Sequence, residues 1–229
     1  MRYAIYYIPS PDDNLYRFGS GLLGCDAFSG REIDQPADAT ETFDDWRELT
    51  SDPRKYGFHA TLKAPITLAD DKREAELVEA FERFAATPRE IPTIAPVVRG
   101  IGGFIAVVPQ APVAALTRLA DDCVRDFDGF RAPLTERDRE RRLKSPLSER
   151  QIAHLDRWGY PYVFEDFRFH MTLTGHLASD RRDRVLAFLQ QRFVRLDRAS
   201  QRIDHLALLR QRDESSRFIM LKHARLAGL

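Results

Sequence analysis

The stretch that decides the fold is Tyr56-Gly57-Phe58-His59-Ala60-Thr61-Leu62, and a related stretch, Phe167-Arg168-Phe169-His170-Met171-Thr172-Leu173, follows later in the chain. Each stretch places a His and a Thr two residues apart. Side chains at positions i and i+2 of a β-strand point to the same face, so each His shares a face with its Thr. The apolar residues between them form the opposite face, which can pack on helices. Two such strands side by side predict a cleft that holds two imidazoles and two hydroxyl groups.

This set of side chains favours acid-base chemistry on a phosphodiester. Histidine titrates near pH 6.5, so one imidazole can act as general base while the other, protonated, acts as general acid. Threonine hydroxyls can donate hydrogen bonds to non-bridging phosphoryl oxygens. The pattern therefore predicts metal-free hydrolysis of a phosphodiester, especially a cyclic one, with His59 and His170 as catalytic residues and Thr61 and Thr172 as substrate-binding residues. The pair leaves open which histidine is the acid.

Two cations adjoin the motifs. Lys63 continues the alternation of His59 and Thr61, and Arg168 precedes His170 on the same face. Either could contact a phosphate, since a fixed cation stabilises its oxygens, or could turn outward into solvent. The other four histidines, His154, His176, His205 and His223, have no matching partners and are predicted to be ordinary surface or core residues.

The order of predicted elements is similar in the two halves of the chain. After an initial strand at 2–8, the His59 motif is followed by a helix at 70–86, strands at 92–99 and 103–109 joined by a Gly102-Gly103 hairpin turn, and a helix at 112–127. The His170 motif is followed by a helix at 180–193 and strands at 201–211 and 216–223, with a turn at 212–215. This order predicts a diverged duplication and an α+β fold. An unrelated α+β sandwich with accidental similarity is the alternative.

We therefore expect one domain over 1–229 with two pseudo-symmetric lobes, at about 55–130 and 165–225. Each lobe would carry an antiparallel sheet and helices, and the two His-x-Thr strands would face a central cleft. Residues 15–50 are predicted as helix and loop at the edge of this cleft. An insertion at 131–160 carries a charged helical run, and its residues 131–150 include seven Arg or Lys and four Asp or Glu. This run is either a solvated helix face or a lid whose arginines reach a second phosphate.

Composition limits the kinds of partner. Thirty-five basic and 35 acidic residues cancel, so no global field favours nucleic acid or an anionic membrane. We predict no membrane span, because Gly and Pro interrupt the longest apolar region, and no secretory leader. The two cysteines, Cys25 and Cys123, are too few for a disulfide scaffold or a cysteine zinc site. A reduced, cytoplasmic protein without a metal or other cofactor is expected.

The two His-x-Thr motifs resemble the signature of the two-histidine phosphoesterase superfamily. Within it, the chain is similar to the branch associated with phosphonate metabolism and encoded with carbon-phosphorus lyase genes. The segments that carry this similarity are residues 2–7, 15–20, 56–65, 130–134 and 166–175. The resemblance implies a cyclic phosphodiesterase that hydrolyses a small ribosyl cyclic phosphate, such as a 5-phosphoribosyl 1,2-cyclic phosphate, in phosphonate breakdown.

Two other functions remain open from the sequence. RNA-processing members of the superfamily act on RNA or nucleotide 2′,3′-cyclic phosphates, although zero net charge and the lack of a basic, aromatic-rich stripe disfavour a large RNA ligand. The other alternative is a non-catalytic module that binds a phosphate ligand. The intact His and Thr in both motifs argue against it, because binding alone requires cations more than a titratable pair.

Overall fold

The computed structural model describes residues 1–213 and 215–229. Its strands are β1 (Arg2–Tyr7), β2 (Ala60–Ile66), β3 (Thr93–Ile94), β4 (Pro96–Ile101), β5 (Phe104–Pro109), β6 (Met171–Thr172), β7 (Gln201–Arg202), β8 (His205–Gln211) and β9 (Ile219–Arg225). Its helices are α1 (Asn14–Leu23), α2 (Ala37–Thr42), α3 (Trp46–Leu49), α4 (Ser51–Arg54), α5 (Glu74–Ala86), α6 (Ala114–Asp128), α7 (Glu136–Leu143), α8 (Glu149–Trp158) and α9 (Ser179–Val194), with a 3-10 turn at Phe164–Asp166.

One large antiparallel sheet forms the centre of the molecule. Within the described residues it has seven strands in the order β4-β5-β6-β2-β1-β8-β9, and β3 pairs with β7 in a separate two-stranded ribbon. The predicted hairpin at Gly102-Gly103 is confirmed, because Ile101 pairs with Phe104 across a two-residue loop. The predicted turn at 212–215 includes Glu214, which lies outside the described residues. The prediction of an α+β fold built on antiparallel strands is confirmed.

The two halves of the chain interleave in this sheet. Helix α5 and the hairpin β4-β5 follow the His59 motif, and helix α9 and the hairpin β8-β9 follow the His170 motif. In space, β6 of the second half pairs with β5 of the first. Helix α9 packs on β4, and α5 packs on β9. A helix from each half therefore packs on a strand of the other half. The duplication and the lobe boundaries at 55–130 and 165–225 stay predictions.

Strand β1 lies between β2 and β8 and is covered on both faces. Tyr3, Ile5 and Tyr7 belong to the main core beneath the helices, whereas Ala4 and Tyr6 belong to a smaller cluster on the other face. This alternation follows from the two-residue period of a strand. Burial of each large side chain stabilises the fold by about 1.5–3 kcal/mol. Tyr6 is thereby placed on the face of the sheet that carries Thr61, its partner in β2.

The segment before the first motif packs directly against it. Asp13 caps α1 by accepting a hydrogen bond from the Leu15 amide, and Gly24 ends the helix in the left-handed conformation. Gly19 on this helix lies against the Phe58 ring, where a Cβ atom would come within 2.2 Å of the ring carbons. The helix can therefore approach the residue next to His59 only because position 19 has no side chain.

The insertion forms two short helices that contact each other. Thr135 caps α7, and Ser148 begins α8 with a reciprocal capping box. Arg139 on α7 donates from Nε to Asp156 Oδ1 on α8 at 2.7 Å. These contacts fix the orientation of the charged helix relative to its neighbour. Among the residues the structure describes, no helix combines the length and apolarity needed to cross a bilayer.

Candidate active site

The structure brings the two motifs together on adjacent antiparallel strands. Ala60 of β2 pairs with Met171 of β6, and both side chains are buried in the core. Continuing this register by one residue in each direction places Thr61 opposite His170 and His59 opposite Thr172. Residues that face each other across an antiparallel pair lie on the same side of the sheet. Each threonine is thus a neighbour of the other motif's histidine.

The strands at the motifs are shorter than predicted. Strand β2 begins at Ala60 and β6 consists of Met171–Thr172, so both histidines lie immediately before a strand. Hydrogen bonds from the imidazole rings hold the backbone just before each of these two strands. Nδ1 of His59 lies 2.9 Å from the Gly57 carbonyl oxygen, and Nδ1 of His170 lies 2.7 Å from the Arg168 carbonyl oxygen. The same i−2 bond therefore recurs in the two motifs.

These backbone bonds fix the tautomer of each neutral ring. A carbonyl oxygen can only accept, so Nδ1 carries the proton and Nε2 carries the lone pair. Gly57, whose carbonyl orients His59, has φ of +74°, and a Cβ there would lie 2.7 Å from that of Ala27. Glycine at position 57 therefore permits the turn that aims the His59 ring. Both histidines present Nε2 as the available base.

The surroundings of the two rings differ. The His59 ring stacks on Tyr6 with centroids 3.9 Å apart, and its Nε2 lies 3.2 Å from the Thr61 hydroxyl oxygen. The pKa of His59 is lowered from 6.5 to about 4, chiefly by desolvation; the Gly57 hydrogen bond opposes this change, and the charge of His170 adds to it. Desolvation also lowers the pKa of His170, with the bond to the Arg168 carbonyl opposing it. The pairing of Ala60 with Met171 places the two rings beside neighbouring positions of adjacent strands.

A cavity of about 620 Å³ adjoins this pair and is called here the histidine cavity. Thr61, Arg168 and His170 line it together with apolar side chains, including Phe104 and Tyr162. Among the described residues, neither His59 nor Thr172 belongs to its lining. His59 contacts this wall through its hydrogen bond with Thr61. A ligand that draws the Thr61 hydroxyl toward itself would release His59 Nε2.

Lys63 does not share the face of Thr61, and this part of the sequence prediction is wrong. Thr61 pairs with Tyr6 and Lys63 pairs with Ile5, with a register shift between the two pairs. Tyr6 and Ile5 are consecutive, so their side chains point to opposite faces, and so do those of their partners. The bulge in β2 turns Lys63 into the core, where Nζ donates to Asp128 Oδ1 at 2.9 Å and to the Val124 carbonyl.

The burial of Lys63 and the pKa shifts of Lys63 and Asp128 are those of an ion pair with a structural role. Its side chain is 4% exposed, and burial lowers the pKa of its ammonium group while the hydrogen bond to Asp128 opposes this change. Burial raises the pKa of Asp128, but hydrogen bonds from Arg131 and Lys63 outweigh it, and the net change is a lowering. We therefore leave Lys63 out of the residues proposed to contact a substrate.

Arg168 and Thr172 remain available to a ligand. Arg168 is exposed on the wall of the histidine cavity. Across residues 1–213 and 215–229, neither its guanidinium nor the Thr172 hydroxyl has a hydrogen-bond or ionic partner. Thr174, by contrast, is buried and accepts from the Ile105 amide, which makes it structural. The sequence prediction of Arg168 at the cavity agrees with this placement, and its contact with substrate stays a prediction.

Sequence reasoning missed the aromatic support of His59. The two motifs give no role to Tyr6, on which the His59 ring stacks, or to Tyr56, whose ring centroid is 6.0 Å from that of His59. The available signal is the group of tyrosines at positions 3, 6 and 7 of β1, which strand alternation divides between the two faces, but alternation does not specify which face borders the site. In the described part of the chain, no group of three or more His, Cys, Asp or Glu side chains is arranged to hold a metal ion.

Comparison with known proteins places this chain in a family. Residues 61–219 match the family described as "Protein of unknown function (DUF1045)". The chain belongs to this family. The matched range begins at Thr61, so it includes Thr61, His170 and Thr172, while His59 lies just before it.

Two curated relatives of this DUF1045 member carry the name of a kinase. The chain is 40% identical over 176 residues to "Ribose 1,5-bisphosphate phosphokinase PhnN" of Janthinobacterium sp. (strain Marseille), covering 77% of the chain and 39% of that protein. It is 34% identical over 188 residues to the protein of the same name from Laribacter hongkongensis (strain HLHK9), covering 77% and 40%. The chain thus spans about two fifths of the length of these relatives.

Proposed function

We propose that this protein is a two-histidine cyclic phosphodiesterase that hydrolyses a small ribosyl cyclic phosphate. The observation that carries the proposal is the matched geometry of His59 and His170. Each ring donates Nδ1–H to the carbonyl two residues earlier, and the two rings precede strands that pair with each other at Ala60 and Met171. Two imidazoles that carry the lone pair on Nε2, beside two threonine hydroxyls, suit acid-base catalysis at phosphorus.

The difference between the two rings suggests their roles. His59, with its pKa lowered to about 4, is neutral at pH 7 and acts as the general base. Its Nε2 takes a proton from water as the water oxygen forms a bond to phosphorus in line with the leaving oxygen. His170, protonated at Nε2, gives its proton to that leaving oxygen as the ring P–O bond breaks. The product is a phosphomonoester, and proton exchange with solvent restores both histidines.

The remaining groups would stabilise the transition state. The hydroxyls of Thr61 and Thr172 donate to the non-bridging oxygens, and the Arg168 guanidinium offsets their negative charge. Arg168 has the freedom to do this because no described carboxylate pairs with it. Binding of the phosphate anion would also raise the pKa of His170, which favours the protonated form that the acid role requires.

The names of the relatives support a ribose phosphate substrate without making this chain a kinase. The sequence contains no Gly-x-x-x-x-Gly-Lys-Ser/Thr phosphate loop. Because the chain corresponds to about two fifths of the relatives, we assign their phosphokinase chemistry to the part that this chain does not match. A module joined to an enzyme of ribose 1,5-bisphosphate would suit a ribosyl phosphate of the same route, and we propose phosphonate breakdown as that route.

The same observations give less support to the two alternative functions. RNA or a nucleotide 2′,3′-cyclic phosphate would suit the histidines, but the net charge of zero provides no global field that attracts RNA. A non-catalytic phosphate-binding module would have no use for two imidazoles with matched backbone bonds.

A panel of phosphodiesters tests the proposal. The purified protein would be incubated with 5-phosphoribosyl 1,2-cyclic phosphate, adenosine 2′,3′-cyclic phosphate, a linear diribonucleotide and ribose 1,5-bisphosphate plus ATP, and the products followed by phosphorus NMR. We expect hydrolysis of the first substrate to a ribose bisphosphate, with the rate unchanged by a chelator. Phosphoryl transfer from ATP, or activity lost in chelator and restored by Zn²⁺ or Mn²⁺, would contradict the mechanism.

The pH profile should be bell-shaped. In the free enzyme, kcat/KM falls at low pH as His59 gains a proton near its pKa of about 4, and falls at higher pH as His170, whose pKa lies below 6.5, loses its proton. The maximum of kcat/KM should therefore lie on the acidic side of pH 6.5. Bound phosphate raises the pKa of both histidines, so the pH profile of kcat should be displaced to higher pH. Steady-state kinetics from about pH 3 to 9, a range that brackets the pKa values of both histidines, measure this.

A kcat/KM profile that is flat over the same range, with the fold intact by circular dichroism, would exclude the histidines from proton transfer.

The threonine hydroxyls should contribute to kcat. Thr61→Val and Thr172→Val each keep the side-chain shape but remove the donor, and we expect kcat to fall by roughly 10- to 1,000-fold if the bond forms in the transition state. Thr61→Val also removes the partner of His59 Nε2. The kinetics of Thr117→Val, a matched change on α6, serve as the control. Full kcat in both motif variants would assign the hydroxyls to structure alone.

A further inference from the structure

A second cavity, of about 410 Å³, adjoins the site and is called here the arginine cavity. Its walls include the side chains of Arg2, Arg141 and Arg142, from the first strand and from α7. Tyr162 lines both this cavity and the histidine cavity. Tyr56 also lines it, and the Tyr56 ring is 6.0 Å from that of His59. Single aromatic side chains thus separate the three guanidinium groups from the two-histidine site.

The positive charge of this cavity is only partly compensated. Arg2 donates from Nε to the neutral amide oxygen of Gln211 at 2.9 Å. The Arg142 guanidinium lies over the Tyr160 ring, 5.0 Å from its centroid. Arg141 forms an ion pair with Asp138. Among the described residues, no carboxylate lines the cavity or pairs with Arg2 or Arg142.

Arg2 and Tyr6 lie four residues apart on β1, so their side chains point to the same face of the sheet. Arg2 is one of the groups that act on the pKa of Tyr6, which burial raises most strongly and which Arg2 opposes. Tyr6 is the residue on which the His59 ring stacks. Arg2 therefore extends the arginine cavity to the face of β1 that carries Tyr6, the residue supporting the His59 ring.

We propose that the arginine cavity binds a phosphomonoester carried by the same substrate whose cyclic phosphodiester lies at His59 and His170. This inference rests on the proposed function and specifies its substrate class, a sugar with one cyclic and one terminal phosphate. Guanidinium groups match phosphate oxygens in geometry and charge, and the two uncompensated ones supply the positive field that a dianion requires. The sugar body between the two phosphates would lie against Tyr162, which lines both cavities.

The insertion at 131–160 gains a function from this assignment. Helix α7 presents Arg142 to the cavity and is fixed by the Thr135 cap and by the Arg139–Asp156 bond to α8. A cation that is already oriented loses less conformational freedom when it binds a ligand. The locally basic segment therefore acts as a selector for doubly phosphorylated substrates, although the whole chain has no net charge.

Substrate selectivity tests the proposal. The ratio of kcat/KM for ribose 1,2-cyclic phosphate with a 5-phosphate to kcat/KM for the same compound without it would be measured in wild type, Arg142→Ala, Arg142→Lys and Arg137→Ala. Arg137 is exposed on the same helix and does not line the cavity, so it is the matched control. We expect the ratio to fall by about 10- to 100-fold in Arg142→Ala, as for the loss of hydrogen bonds to a charged group. Arg142→Lys should keep part of the wild-type ratio, and Arg137→Ala should keep the full wild-type ratio.

A binding measurement separates failure of this inference from failure of the proposed function. Calorimetric titration with ribose 5-phosphate requires no turnover. Binding that is weakened about 10-fold or more in Arg142→Ala, but not in Arg137→Ala, would support the phosphomonoester site even if no phosphodiester were hydrolysed. Hydrolysis of both cyclic phosphates with equal kcat/KM, unchanged by Arg142→Ala, would overturn the site while leaving the phosphodiesterase in place. Equal ribose 5-phosphate binding by all variants would overturn it as well.

Discussion

Replacing His59 or His170 with Ala should reduce kcat for the cyclic phosphate by about 100- to 10,000-fold each, the range of a general acid-base contribution. His59 supplies the neutral Nε2 that takes the proton from water, and His170 supplies the proton for the leaving oxygen. The double variant should be little worse than either single variant, because groups that act as a unit are not additive. Single-turnover kinetics with phosphorus NMR of the products measure the loss directly.

Structural damage must be separated from loss of chemistry. His59 stacks on Tyr6, so His59→Gln, which fills more of the same space, should be tested beside His59→Ala, with thermal unfolding of both. His205→Ala is the matched control, since His205 contacts Asp204 and His223 and lines neither cavity. A folded His170→Ala variant that retained more than about a tenth of wild-type kcat would remove His170 from the proton transfer.

The largest loss of stability should come from Asp128→Ala. This change leaves the Lys63 ammonium, 4% exposed, without its carboxylate, and breaking a buried pair from one side costs about 3–5 kcal/mol in unfolding free energy. Asp128 also pairs with Arg131 and Arg157, so those two cations lose a partner as well. Urea denaturation at pH 7 measures the change.

Lys63→Met is the informative companion variant. It removes the buried charge and keeps an apolar chain of similar length, while Asp128 keeps Arg131 and Arg157. We expect a loss of less than about 1.5 kcal/mol, as for volume-conserving core changes, and unchanged kcat/KM. A folded Lys63→Met variant whose kcat/KM fell more than about 10-fold, the loss of a charge-assisted contact, would return Lys63 to the substrate site.

The sequence by itself determined the local elements and the chemical content of the site. The spacing of His59 and Thr61, and of His170 and Thr172, is a local pattern whose meaning depends only on strand geometry. The hairpin at Gly102-Gly103 and the amphipathic helices follow from turn chemistry and periodicity in the same way. For this reason the antiparallel α+β class and the pairing of the two motifs could be predicted without coordinates, whereas the exact starts of helices such as α5 could not.

The tertiary structure decided what depends on neighbours distant in sequence. Extrapolating the alternation of β2 placed Lys63 beside Thr61, but the bulge against β1 turned it toward Asp128, because register is set by pairing and not by one strand. The two equivalent motifs became unequal because only His59 stacks on Tyr6. Arg2 and Arg142 line the same arginine cavity although they lie far apart in the sequence. Burial, pKa and charge clustering arise from packing between such segments, so no local pattern specifies them.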